Sequence, residues 1–316
     1  MGMQQIQLKS SDLKSSRLAY GCWRIIAPGK AVEVTPEREQ DARKSILAAF
    51  DAGFTLFDHA DIYSDGLGEW VFGRVLKANP ALRDKILIAS KCGIRKAGDP
   101  NPNAPYRYDF SASHILQSCE ASLKRLQTDR IDIFQLHRPD YLINPEEVAQ
   151  AFSKLKQQGK VREFGLSNAG PAYFYLVQKA CPFRLMVNQI EISLMKLDFF
   201  KNGTMEHCML EKITPIAWSP LAAGRLCFPG AIDLNEAGHA KRIQLREAID
   251  LVARERNASR GMVALAWLLK HPSGIIPIIG STDPNNIRDL ARADQLELSR
   301  EEWYTLMEAA VGERLA

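Results

Sequence analysis

Short apolar runs alternate with longer amphipathic segments along most of the chain. The apolar runs are three to six residues long and contain few polar positions. Such runs are typical of parallel strands buried on both faces, because a strand with one solvated face alternates between apolar and polar residues. The pattern predicts eight strands, the first ending near Gly21 and the others at residues 55–57, 86–90, 131–136, 161–166, 185–190, 214–218 and 275–279.

Helical segments fill the spaces between these strands. The first has Thr35 as N-cap, Pro36 at its first position and Gly53 as its stop. Residues 6–8 and 17–20 indicate a hairpin ahead of the barrel. With no linker or internal repeat, the order predicts one domain over residues 1–316, a (β/α)8 TIM barrel with a short N-terminal hairpin and C-terminal helices. The predicted helices cover residues 36–52, 68–78, 111–126, 145–158, 171–179, 198–211, 240–256 and 261–270.

A doubly wound sheet is the competing α/β fold, but the chain lacks its dinucleotide fingerprint. The glycines Gly66, Gly68 and Gly73 have the wrong final spacing and follow no strand directly. Arg74 stands where a phosphate-binding loop needs lysine. This glycine cluster is better interpreted as a loop that leads into a helix.

Composition and charge limit the classes of partner. The 41 basic and 37 acidic residues are interspersed, so nucleic acid is not implied. No window approaches the roughly 20 apolar residues that span a bilayer, and the N-terminus lacks the apolar core of a signal peptide, so a cytoplasmic protein without a membrane partner is expected. No Cys-x-x-Cys pair occurs, which favours reduced structural thiols over disulfides or a metal site. The cysteines are Cys22, Cys92, Cys119, Cys181, Cys208 and Cys227.

Polar residues with distinct chemistry stand at or just past the ends of three strands. Asp58 and Tyr63 follow the second strand, Lys91 the third and His137 the fourth. The carboxyl ends of barrel strands converge on one mouth, so these side chains are expected to share a pocket. Taken singly, each also fits a structural role, Asp58 as a turn cap, Lys91 as a solvated strand end and His137 as a hydrogen-bonded rim residue. Their repetition at successive strand ends favours an active site.

The chemistry that uses this set is the reduction of a carbonyl by a hydride donor. Tyr63 is the expected proton donor, although a free phenol has a pKa of about 10. A lysine at about 4 Å and an effective dielectric near 20 supplies about 4 kcal/mol, and a two-unit depression of the tyrosine pKa needs about 2.7 kcal/mol. We therefore expect Lys91 to lower the pKa of Tyr63, Asp58 to orient Lys91, and His137 to orient the substrate carbonyl.

The same residues resemble those of the aldo-keto reductases. Residues 58–63 (Asp-His-Ala-Asp-Ile-Tyr) are similar to the Asp-Thr-Ala-x-x-Tyr element of that family, and Lys91 and His137 to its strand-end lysine and histidine. The resemblance runs in family order from about residue 18 to 290, and is strongest to a bacterial reductase branch that shares Asp-His-Ala-Asp-Ile-Tyr and Ser-Lys-Cys-Gly. Further matching segments are residues 159–168, 188–191, 217–221 and 277–281.

The resemblance implies a barrel that binds NADPH without a Rossmann domain and reduces a small-molecule carbonyl; NADH is the alternative cofactor. Asp58 would lie beside the cofactor as well as in the catalytic set. The resemblance assigns Ser167, Asn168 and Gln189 to the carboxamide and Trp218 to stacking on the nicotinamide ring. It assigns Ser219, Leu221 and Gly224 to the pyrophosphate, the backbone of Gly21, Cys22 and Trp23 to a close approach, and Gly280, Ser281, Thr282 and Asn286 to the adenosine end.

The adenosine end departs from the family pattern. Gly280 and Asn286 stand where many members carry basic residues for the 2′-phosphate. Asp283 would repel a phosphate, whereas a helix beginning at Pro284 would offer its amides to an anion and Arg288 is the nearest basic residue. We expect NADPH to be used with weak discrimination against NADH.

Two other functions stay open at this point. One is a catalytically weak, nucleotide-binding subunit that senses redox state for a partner. The other is a barrel enzyme for sugar phosphates or phosphoryl groups, with Asp58 and Asp61, or His137 and Glu191, as metal ligands, although no metal or phosphate motif supports it. The substrate depends on loops such as residues 92–110 and on the tail beyond residue 298, so neither it nor the oligomeric state is predicted.

Overall fold

The computed structural model describes residues 2–26, 33–227 and 239–315. Eight parallel strands among them close into a barrel in which strands that follow each other along the chain are neighbours. The predicted (β/α)8 barrel is confirmed. Its strands are β3 (Ala19–Gly21), β4 (Leu56–Asp58), β5 (Leu87–Cys92), β8 (Ile131–Leu136), β9 (Val161–Ser167), β10 (Val187–Glu191), β11 (Thr214–Trp218) and β12 (Ile276–Ile279).

Helices surround the barrel and cover its outer face. The first begins after Thr35, whose side chain accepts a hydrogen bond from the Arg38 amide, with Pro36 at the first position as predicted. The predicted helix at 198–211 is instead a 3₁₀ turn, Asp198–Phe200, and a separate short helix that begins after Gly203, at φ +79°. The helices are α1 (Pro36–Asp51), α2 (Leu67–Ala78), α3 (Ala112–Leu126), α4 (Pro145–Gln157), α5 (Pro171–Ala180), α6 (Thr204–Leu210), α7 (His239–Glu255), α8 (Arg260–Lys270), α9 (Pro284–Ala291) and α10 (Arg300–Val311).

A hairpin closes the amino-terminal end of the barrel. It pairs β1 (Gln5–Gln7) with β2 (Lys14–Ser16), not with residues 17–20 as expected, because residues 19–21 enter the first barrel strand. The pairing is carried by the backbone and by polar contacts such as the Ser16 amide to Thr55 Oγ1 at 2.8 Å, which leave no apolar pattern. Leu8 and Leu13 are buried against the inner barrel residues.

The apolar interior lies in two places. One cluster fills the space between the strands and the helices, and a second fills the lower barrel. The inward members of the second cluster include Leu56, Ala89, Ile133, Val187, Ile216 and Ile278. Since side chains alternate along a strand, the residues two positions later point into the barrel mouth.

Two short antiparallel strands form a separate sheet in the loop after β5. They are β6 (Ile94–Arg95) and β7 (Arg107–Tyr108). Within the described chain, no helix is long and apolar enough to cross a membrane.

Candidate active site

Lys91 and Asp58 form a buried ion pair at the barrel mouth. Lys91 is fully buried, and its Nζ donates to Asp58 Oδ2 at 2.9 Å, to the His59 carbonyl at 2.6 Å and to the Tyr63 hydroxyl at 3.2 Å. Burial alone would lower the pKa of Lys91, but the Asp58 carboxylate and the Tyr63 phenol raise it above its ordinary value. The lysine is therefore an ammonium ion whose three donors are all directed.

Tyr63 reaches this pair from a turn that follows β4. Ser64 and Asp65, just after it, have φ of +48° and +56°, left-handed values that turn the chain tightly at the mouth. The structure corrects one expectation: burial raises the pKa of Tyr63 above its ordinary value, and the opposing charge of Lys91 only limits the rise. The sequence-based estimate counted the attraction and not the loss of water. The phenol thus keeps its proton at neutral pH, as a donor must.

His137 completes the cluster from the end of β8. Its amide donates to the Cys92 carbonyl at 2.9 Å, and its ring centre lies 6.0 Å from that of Tyr63 at 75°. Burial, together with the charges of Lys91 and Arg138, lowers the pKa of His137 well below its ordinary value. The neutral imidazole can donate an N–H to a carbonyl oxygen. All four predicted catalytic side chains are thus brought together.

The residues assigned to the nicotinamide are linked to this cluster by hydrogen bonds. Gln189 Nε2 donates to Asp58 Oδ1 at 2.7 Å, and Asn168 Nδ2 donates to the His137 carbonyl at 3.1 Å. Ser167 Oγ donates to the Gln189 carbonyl, and Trp218 Nε1 donates to Asn168 Oδ1 at 3.0 Å. Short polar side chains beside a half-buried indole match the donor and stacking needs of a nicotinamide.

The first strand and its turn form the opposite wall. At Gly21 a Cβ would lie 2.7 Å from Ile278 Cγ2, so the close strand contact requires glycine. Burial raises the pKa of the Cys22 thiol well above its ordinary value, and the Asp58 charge adds to this, so the thiol is unreactive. Trp23 is 48% exposed at the rim.

The segment after β11 turns through left-handed backbone. Ser219, Ala222, Ala223 and Gly224 all have positive φ, and the Gly224 amide donates to the Leu221 carbonyl at 2.9 Å. The Ala222 and Ala223 amides also donate within the turn, to the Ser219 carbonyl and to Ser219 Oγ, so these donors are already engaged. The pyrophosphate role of Ser219, Leu221 and Gly224 stays a prediction.

The adenosine-end residues lie around the start of α9. Gly280, Thr282 and Asn286 are exposed, and Ser281 is half-buried with its carbonyl accepting from Tyr20. Asp283 is the N-cap of α9, and its side chain accepts from the Asn285 amide at 2.8 Å. Arg288 Nη1 donates to Asn285 Oδ1 at 3.3 Å, so a guanidinium lies beside this turn.

The structure adds two buried polar residues that the sequence interpretation missed, one at the mouth and one between the barrel and the helices. Gln135 is fully buried and pairs in register with Lys91, and its amide has no hydrogen-bond partner among the described residues. Glu69 is also fully buried and accepts from Ser90 Oγ at 2.5 Å and Arg125 Nε at 2.8 Å. The sequence signal for Gln135 was a lone amide inside an apolar strand. In the described ranges, no group of three or more His, Cys, Asp or Glu side chains could hold a metal ion.

Comparisons with known proteins agree with this geometry. The 6-dehydroglucose reductase of Agrobacterium fabrum is 39% identical over 99% of this chain and 100% of its own length, and Oxidoreductase YdhF of Escherichia coli is 37% identical over 98% of each. The solved glycerol dehydrogenase of Gluconobacter oxydans matches with a TM-score of 0.84 and 25% identity over 100% of this chain and 98% of its own.

These relatives carry the names of reductases and oxidoreductases, and they do not support the alternative of a catalytically weak interaction subunit. The family model described as Aldo/keto reductase family matches residues 17–310. With that match and relatives that align from end to end, the chain belongs to the aldo/keto reductase family and is an NAD(P)H-dependent oxidoreductase.

Proposed function

We propose that this protein catalyses the reversible NADPH-dependent reduction of an aldehyde or ketone to the alcohol, with Tyr63 as the proton donor. The observation that carries the proposal is the buried ammonium of Lys91, which donates to both Asp58 and Tyr63. A cation in contact with a phenol serves little purpose in packing. It stabilises the phenolate that remains after the proton has left.

The chain's own groups have separate tasks in this reaction. His137 donates a hydrogen bond to the carbonyl oxygen and sets its direction. Tyr63 transfers its proton to that oxygen as negative charge develops on it. At 3.2 Å and an effective dielectric near 20, the ammonium of Lys91 attracts the resulting phenolate by about 5 kcal/mol. Asp58 keeps the ammonium charged and aimed.

The cofactor would lie across the mouth from the end of β10 to the start of α9. NADPH, when bound, supplies the hydride. Ser167, Asn168 and Gln189 would hold the carboxamide, and Trp218 would support one face of the ring. Gln189 bonds to Asp58, and Asn168 bonds to the His137 carbonyl. A movement of the residues that would hold the cofactor therefore also moves the catalytic side chains.

The relatives suggest a first substrate to examine. Two proteins named 6-dehydroglucose reductase, from Agrobacterium fabrum and Novosphingobium aromaticivorans, are 39% and 38% identical to this chain over nearly its whole length. Because these relatives are named for it, 6-dehydroglucose is the first neutral carbonyl compound to assay.

Replacement of Tyr63 tests the mechanism. In Tyr63→Phe we expect NADPH oxidation with 4-nitrobenzaldehyde to fall below about one thousandth of the wild-type rate, within the range for loss of a general acid. NADPH affinity, followed by fluorescence, should change by less than about threefold. Tyr175→Phe, which alters a 58% exposed tyrosine of α5, is the matched control. Near-normal turnover by Tyr63→Phe would refute the assigned role.

A further inference from the structure

Arg138 is a half-buried cation at the mouth that lacks a carboxylate partner in the described part of the chain. It follows His137 directly, and its guanidinium carbon lies 5.4 Å from the centre of the Trp218 ring. The carboxylate of Asp140, two residues further, is already engaged, since it accepts from the Phe110 and Leu142 amides. The Arg138 charge is therefore presented to the cleft between the carbonyl-orienting histidine and the cofactor wall.

Several other half-buried arginines among the described residues are paired with acids, whereas Arg107 is held by the Asp99 and Pro105 carbonyls. Arg83 lies 2.9 Å from Asp132, Arg125 lies 2.7 Å from Glu69, and Arg95 lies 3.0 Å from Asp109. The pattern follows from the free energy of removing a charge from water, which a paired acid offsets. The contact of Arg138 with the Trp218 ring offsets less of this free energy than a bidentate oxyanion would.

The neighbouring charges do not supply the missing partner. Lys91 and Asp58 balance each other beneath His137. Besides His137, the charge of Arg138 acts on the phenol of the exposed Tyr106, on the loop that carries β6 and β7. Burial raises the pKa of Tyr106, and the positive charge of Arg138 opposes that rise. Among the described residues, no acid side chain is thus paired with the Arg138 guanidinium, which lies beside His137 in the chain and over the Trp218 ring.

We propose that Arg138 binds an anionic oxygen group of the substrate, a carboxylate or a phosphate, while His137 and Tyr63 act on its carbonyl. This inference rests on the proposed function. A planar guanidinium matches either group through two parallel hydrogen bonds, and its position fixes which end of the substrate enters the cleft first. Arg138 is thus the residue that selects acidic carbonyl compounds over neutral ones.

The test compares matched substrates. The 2-, 3- and 4-formylbenzoates are assayed with NADPH against their methyl esters, and 4-formylphenyl phosphate separates recognition of a phosphate from that of a carboxylate. For at least one acid we expect wild-type kcat/KM to exceed that of its neutral ester at least tenfold. Arg138→Gln should remove most of this preference, chiefly by raising KM for the acid, because the contact exists before and during reaction.

Two further variants guard the interpretation. Arg138→Lys keeps the charge and loses the planar fork, so it should retain part of the preference. Arg24→Gln alters an exposed arginine that lies 5.4 Å from the Trp23 ring at the same rim, and it should leave the acid-to-ester ratio within twofold of wild type.

The outcomes separate this inference from the proposed function. If esters and acids are reduced equally, or if Arg138→Gln slows both by the same factor, Arg138 does not select anions and the inference is wrong, while carbonyl reduction stands. If 4-nitrobenzaldehyde and every other aldehyde fail with both nicotinamide cofactors, the proposed function fails and the inference fails with it.

Discussion

The two levels of the barrel interior differ sharply although the same strands build both. On five strands an apolar residue points into the lower barrel, and the residue two positions later points into the mouth. Two residues along a strand span about 6.6 Å. The pairs are Leu56 and Asp58, Ala89 and Lys91, Ile133 and Gln135, Val187 and Gln189, and Ile216 and Trp218.

The lower residues therefore contribute to stability and the upper residues to chemistry, although only two positions along a strand separate them. The lower residues form one apolar cluster with the hairpin residues Leu8 and Leu13. Of the upper residues, Asp58, Lys91, Gln135 and Gln189 are just as buried, yet they carry charges and amides. Burial of polar groups is unfavourable unless they are paired, so the upper level is retained for function.

Lys91→Met gives the largest expected effect and acts on the upper level. The variant removes the cation beside Tyr63 while keeping an unbranched side chain of similar length. We expect kcat for carbonyl reduction to fall by about 10³-fold or more, which corresponds to at least about 4 kcal/mol. Steady-state kinetics at saturating NADPH measures it.

A control separates this effect from unfolding. Removing one member of a buried pair also destabilises the fold, so circular dichroism must show that Lys91→Met is folded at the assay temperature. Lys96→Met, at an exposed lysine paired with Asp65, should keep near-normal kcat. If folded Lys91→Met kept more than one tenth of wild-type kcat, the upper level of the barrel would not be the catalytic one.

Ile133→Ala acts on the lower level of the same barrel. Ile133 is fully buried, and its truncation leaves a cavity that the barrel cannot close, so the free energy of unfolding should fall by about 2–5 kcal/mol. The kcat of the folded variant should stay within about threefold of wild type. Urea denaturation and kinetics measure the two quantities, with Ile243→Ala, at a 36% exposed residue, as the control for truncation alone. If Ile133→Ala lost kcat tenfold with little loss of stability, the lower level would have a catalytic role and not the structural role given to it.

The sequence predicted this division only in part. Apolar runs located the strands, and Asp58, Lys91 and His137 interrupted or followed them, so both the barrel and the acid cluster could be anticipated. The second hairpin arm could not, because backbone and Ser16 contacts hold it without an apolar signal. The pKa of Tyr63 was also missed, since burial is a property of the folded chain. The role proposed for Arg138 could not be predicted, because it depends on which side chains the fold places beside the guanidinium.

His59, outside the barrel against α2, makes stability depend on pH. Its ring is fully buried 4.5 Å from Phe72, and neither nitrogen has a partner among the described residues. Burial, with the charge of Lys91 adding to it, lowers the pKa of His59 to about 3, against about 6.5 in the unfolded chain. Below pH 6.5 the unfolded state therefore binds a proton at His59 that the folded state does not, and the contribution of His59 to stability falls as the pH falls.

The expected loss from His59 is about 1.4 kcal/mol per pH unit, or about 2 kcal/mol between pH 6.5 and pH 5. His59→Leu should remove that part of the decline and leave the contribution of His137, which has the same sign. Urea denaturation at pH 7, 6 and 5 measures the slopes. Equal slopes for wild type and His59→Leu would show that the ring is protonated in the folded protein.

The smallest expected effect is on cofactor preference, at the exposed end of the cleft, where the charged side chains are in contact with solvent. We propose that NADPH is preferred over NADH only weakly, because Asp283 opposes the 2′-phosphate while Arg288, held on Asn285, attracts it. Exposed charges of this kind contribute up to about 1 kcal/mol, roughly fivefold in affinity.

Two single-charge variants should therefore move the cofactor preference in opposite directions. Asp283→Asn keeps an N-cap for α9 and should raise the NADPH-to-NADH ratio of kcat/KM by roughly fivefold. Arg288→Gln should lower it by a similar factor, and added salt should shrink both changes because screening weakens exposed charges. A wild-type preference for NADH of about tenfold or more would overturn the NADPH assignment. If both variants changed the NADPH-to-NADH ratio in the same direction and by the same factor, the shape of the turn, and not its charge, would determine cofactor choice at this end. The buried end differs, because Lys91 and Asp58 act there through charge.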